Sequence, residues 1–159
     1  MIINNILVAI DGEVNAMVAV KYAICLAKNF QAQLSIVYVI NKKSIDFLLK
    51  HRIFIESEAK QYEKEIYAFG ETFLERSRKL AEAKDVRIKD YILTGIVHEE
   101  VINKALEIEA DLIIIGRPGA KTMNPEEFYD EENMIIWKSP CPILSVKNYS
   151  FVEKNYKEL

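Results

Sequence analysis

The run Leu112-Ile113-Ile114-Ile115 passes straight into Gly116 and, shortly after, Gly119. A run of branched apolar residues with no polar face suits a strand covered on both sides, as strands are in the parallel sheet of an α/β domain. Gly116 and Gly119 then form a turn at that strand's carboxyl end, where backbone N–H groups meet a phosphate or a ribose. The next segment reads as a helix that begins Asn124-Pro125-Glu126-Glu127 and adds Asp130, Glu131 and Glu132. Residues 111–146 therefore combine the scaffold of a nucleotide site with carboxylates expected to repel a polyphosphate.

The same alternation runs through the rest of the chain. Ile6-Leu7-Val8-Ala9-Ile10 is a buried-strand pattern ending in Asp11-Gly12, and residues 14–30 change to helical period through Ala16, Ala19, Val20, Ala23, Ala27 and Phe30. Residues 34–40 form a second strand, and residues 56–83 a long helix carrying Tyr62, Ile66, Phe69, Phe73 and Leu80 on one side. Val86, Ile88 and residues 91–93 make a third strand, broken by Arg87, Lys89 and Asp90 as an edge strand tends to be. A third helix carries Val101, Ile102, Ala105 and Leu106, a fourth covers residues 125–137, and a fifth strand spans residues 141–146. Residues 41–55 have no clear period; their apolar side chains (Ile45, Phe47, Leu48, Leu49, Ile53, Phe54, Ile55) suggest a short helix packed on the domain rather than a flap over the crevice. Strands alternating with helices predict an α/β domain with a parallel sheet and right-handed crossovers.

At 159 residues the chain fits one domain, residues 1–159 with a tail from 148. A formal charge of −3 argues against non-specific nucleic-acid binding, which needs a basic face. No apolar run approaches the roughly 20 residues of a membrane span, and no signal peptide is evident, so a cytoplasmic location is expected. Cys25 and Cys141 share no ligand spacing and read as reduced thiols. The strand Pro142-Ile143-Leu144-Ser145-Val146 lacks charged gatekeepers, so either the tail residues Tyr149, Phe151 and Val152 cover it or a second subunit pairs with it; a homodimer is preferred.

The motifs ILVAIDG, LSIVYVI, TGIVHEEVINKALEIEADLIIIG and SPCPILSV, in that order, resemble the universal stress protein family over residues 3–147. The resemblance implies a doubly wound five-stranded sheet in the order 3-2-1-4-5 and dimerisation through strand five. ATP-binding members of the family carry Gly-x-x-Gly, a fixed spacer, then Gly-Ser or Gly-Thr. Gly116 and Gly119 match the first pair, while Tyr129 and Asp130 replace the second, which holds the outer phosphates. Asp11 corresponds to the family's acidic residue after strand one, and Val39 to the backbone that contacts adenine. The resemblance thus carries Asp11, Val39, Gly116 and Gly119 to a cofactor site for ATP and leaves that site degenerate, with weak or no ATP binding.

Each residue also has a plainer reading. Asp11 accepts from a ribose hydroxyl or caps the following helix, and both remain open. Gly116 and Gly119 admit a ligand or simply make a tight turn shaped by Pro118. His98, in the first turn of the third helix, and His51 lack any partner pattern and read as structural or surface residues. No nucleophile–base pair or metal spacing is present, so no catalytic or metal-ligating residue is assigned. The resulting expectation is a non-catalytic stress-response or regulatory domain. Two alternatives remain: a nucleotide-dependent switch that binds ATP, and a nucleotide hydrolase.

Overall fold

The structure is a computed structural model that describes residues 2–10, 14–116 and 125–159, with residues 14–15 and 125–130 given by backbone alone. Strands β1 (Asn5–Ile10), β2 (Gln33–Asn41), β3 (Ile88–Gly95), β4 (Leu112–Gly116) and β5 (Ile143–Val146) are all parallel, in the order β3-β2-β1-β4-β5. Ile6, Leu7 and Val8 of the central strand are fully buried, which is why that strand reads as a continuous apolar run.

Successive side chains of a strand point to opposite faces, and both faces are covered. Ile6, Val8 and Ile10 join Leu34, Ile36, Tyr38, Ile40 and Ile114 in the larger core cluster. That face packs against α1 (Val14–Phe30) and α3 (Glu56–Glu82), and α6 (Tyr149–Glu158) extends the same cluster from the far side of α1. Leu7, Val37, Ile113 and Ile115 form the second cluster under α4 (Val97–Glu107) and α5 (Pro125–Lys138). The doubly wound order and the edge position of β3 agree with the sequence-based expectation. The amino end of β1 is tied across to β4 by Asp111, whose Oδ2 accepts from the backbone N–H of Asn4 and Asn5 at 2.8 and 2.9 Å.

Several boundaries differ from expectation. β3 starts at Ile88, leaving Val86 buried in the preceding turn. β5 starts at Ile143 rather than Cys141 because Pro142 has no N–H to give to a ladder; its carbonyl still accepts from the Ile113 N–H at 3.0 Å. Residues 42–50 are a helix, α2 (Lys42–Lys50), capped by Asn41, whose Oδ1 accepts from the Lys43 N–H at 3.0 Å. Ile45 is buried and Leu49 and Phe54 pack on the core, whereas Phe47, Ile53 and Ile55 are exposed. The packed-helix reading therefore holds for one side of this segment only.

The tail forms α6, which packs on α1. Val152 and Tyr156 are buried, Lys21 pairs with Glu153, and the Tyr156 hydroxyl donates to the Leu80 carbonyl at 2.7 Å. Both cysteines are free, and burial raises each thiol above its ordinary value. No helix among the described residues is long and apolar enough to cross a membrane.

Candidate functional site

In an open parallel sheet, ligands lie beyond the carboxyl ends of the strands, where successive connections leave to opposite faces. Here that point is between β1 and β4. Register pairs Ile10 with Tyr38 and Ala9 with Ile115, so Val39 and Gly116 stand one step further along on either side of the end of β1. Val39 is half-buried on the α4 face, and Gly116 ends β4 opposite Val146. Two of the expected site residues are therefore brought to the crevice mouth. Asp11 and Gly119 lie outside the described residues, as do the side chains of Tyr129 and Asp130, whose backbone belongs to α5.

The same end of the sheet holds a side-chain cluster that residue spacing did not reveal. Glu131 is 7% exposed and His98 6% exposed. One carboxylate oxygen, Oε2, accepts from the His98 backbone N–H at 2.8 Å and lies 2.7 Å from His98 Nδ1. The other oxygen, Oε1, accepts from the Lys43 ammonium at 3.0 Å. A single carboxylate thus joins α5 to the first turn of α4 and the first turn of α2, all at the carboxyl ends of strands. Burial pushes the Glu131 carboxyl upward, but the His98 N–H, the Lys43 ammonium and the His98 ring together hold it below the ordinary glutamate value.

The cluster fits the structural reading of His98 and corrects one expectation, that of a solvated acidic helix face. His98 has a buried partner 33 residues away, which local spacing does not show. Glu131 is not a free negative charge on a solvated helix face, because Lys43 neutralises it. The available signal was positional: Glu131 lies one helical turn before Ile135, and both face inward on α5. A buried carboxylate needs donors, so its position called for a cation nearby. His51 is exposed, its ring tilted 44° to that of Phe47 with centroids 4.2 Å apart. Among the described residues no group of three or more His, Cys, Asp or Glu side chains could hold a metal ion.

The model of the universal stress protein family matches residues 3–147. The chain belongs to that family. It is 29% identical over 152 residues to the universal stress protein YxiE of Bacillus subtilis, covering 91% of this chain and 99% of that one. The solved structure of universal stress protein UspA from Lactobacillus plantarum matches with a TM-score of 0.73 at 19% identity, covering 91% of this chain and 97% of that one. A universal stress protein from Archaeoglobus fulgidus, solved in complex with dAMP, matches with a TM-score of 0.62 at 17% identity, covering 92% and 100% respectively. The doubly wound sheet is thus that of the universal stress proteins.

Proposed function

We propose that this universal stress protein is a non-catalytic regulatory domain whose β1–β4 crevice is a degenerate nucleotide site with weak or no affinity for ATP. The observation that carries this reading is the engagement of Lys43. It stands just beyond the end of β2, and its charge is already committed to Glu131. Tyr129 and Asp130, at the positions where ATP-binding relatives have Gly-Ser, support the same conclusion from sequence. The dAMP complex of the Archaeoglobus fulgidus protein supports an adenine nucleotide as the ligand class for Asp11, Val39, Gly116 and Gly119. We further propose that the chain acts as a homodimer through β5, which ends the sheet.

A second reading is favoured by one observation. Val39 and Gly116 stand on either side of the end of β1, the positions that ATP-binding members of the family use, which favours an ATP-binding switch. Equilibrium dialysis of ATP and AMP against the purified protein separates the two readings. Millimolar or weaker ATP affinity supports the degenerate site, and micromolar ATP affinity, worth about 8 kcal/mol, overturns it. Release of ADP or AMP from ATP by the purified protein, above a no-enzyme control, would overturn the non-catalytic assignment.

A further inference from the structure

Glu131 occupies an inward position on α5, next to Ile135, where an apolar side chain would also pack. An apolar side chain could not accept the His98 backbone N–H as Oε2 does, so that oxygen has a structural role. The other oxygen, Oε1, binds a cation. Lys43 is 55% exposed along its side chain, so its ammonium is within reach of solvent as well as of Glu131. It lies on the first turn of α2, two residues past the carboxyl end of β2, the strand next to β1.

We propose that Glu131 determines ligand specificity by charge: it holds Lys43 away from ligand phosphates and so biases the crevice toward nucleotides of low charge. This rests on the reading of the crevice as a nucleotide site. Glu131 acts through Lys43 and is a positioning residue. With the carboxylate replaced by an amide, Lys43 keeps its charge but loses its fixed partner. A flexible ammonium with three donors is then free to pair with a phosphate. The gain grows with ligand charge because the interaction is coulombic. A role confined to holding α5 against α4 and α2 would alter the binding of charged and uncharged ligands alike.

The test is titration calorimetry of adenosine, AMP and ATP, at constant ionic strength, with the wild type, Glu131→Gln, Lys43→Met and the double variant. Glu131→Gln is expected to tighten ATP binding by about tenfold or more and AMP binding by less, with adenosine unchanged within about twofold. The double variant is expected to lose that gain. Lys43→Met alone leaves the Glu131 charge unpaired and is expected to weaken ATP relative to adenosine. Because Lys43 is half-exposed, this variant gives an answer even where Glu131→Gln fails to fold. Equal shifts for all ligands, or no shift, would overturn the specificity role while leaving the nucleotide reading intact. Failure of adenosine and AMP to bind any variant at millimolar concentration would overturn both.

Discussion

The ring of Tyr38 fills the space beside Gly70: a β-carbon built on that glycine would lie 2.5 Å from Tyr38 Cδ1 and 2.7 Å from Cε1. Both residues are buried, one on β2 and the other in the middle of α3, so neither has room to withdraw. This contact sets how closely the long helix approaches the sheet.

Gly70→Ala is accordingly expected to destabilise the protein despite alanine's better helix propensity. Overpacking a core costs about 1–3 kcal/mol, against about 1 kcal/mol regained from propensity. A net loss of up to about 2 kcal/mol should appear in urea unfolding as a lower midpoint with an unchanged slope. Tyr38→Leu should relieve the clash, so that the double variant is less destabilised than the sum of the two single changes.

Glu131 should make stability fall on the acid side. Its folded-state pKa lies below the ordinary value of 4.5, so its contribution is fully present above that value. The contribution is lost as pH falls from 4.5 through the lower folded-state value. Chemical denaturation of wild type and Glu131→Gln at several acidic pH values should give curves that converge as the pH drops. A constant difference between them would show that the carboxylate's charge has no part in stability.

Tyr156 anchors α6 through its hydroxyl to the Leu80 carbonyl. Tyr156→Phe removes that donor and is expected to cost about 0.5–1.5 kcal/mol. Val152, also buried under α6, should be more sensitive: Val152→Ala is expected to cost about 1–3 kcal/mol through lost burial and the cavity left behind. Hydrogen exchange of α6 amides would show whether the helix detaches before the rest of the domain unfolds.

The proposed dimer predicts a response to charge on the sheet edge. Ser145 is exposed on β5, so Ser145→Lys should change monomer stability by less than about 0.5 kcal/mol. It should nonetheless weaken edge-to-edge association by about tenfold or more, as edge lysines do. Sedimentation velocity over a dilution series checks both the dimer and its sensitivity. A monomer at all concentrations would remove the proposed interface.

Wherever the physical signal was local, the fold was legible. The runs 6–10 and 112–115 are buried on both faces and therefore uniformly apolar, while the interrupted pattern of β3 follows from its place at the edge. Register then placed Val39 and Gly116 at the carboxyl ends of β2 and β4, on either side of the end of β1. Residues 41–55 were harder because their apolar side chains divide between a buried side and an exposed one, which blurs any period. At β5, counting apolar residues overextended the strand, since Pro142 is apolar but has no N–H for the ladder.

The amino-acid sequence alone determined the alternation of strands and helices and the family motifs, because burial period and turn chemistry act between near neighbours. Tertiary structure alone decided the state of Glu131. Glu131 looks like one more member of a repelling face until folding brings it to His98, 33 residues away, and Lys43, 88 residues away. Charge pairing depends on distance in space and on exclusion of water, and neither is encoded in the spacing of residues along one helix.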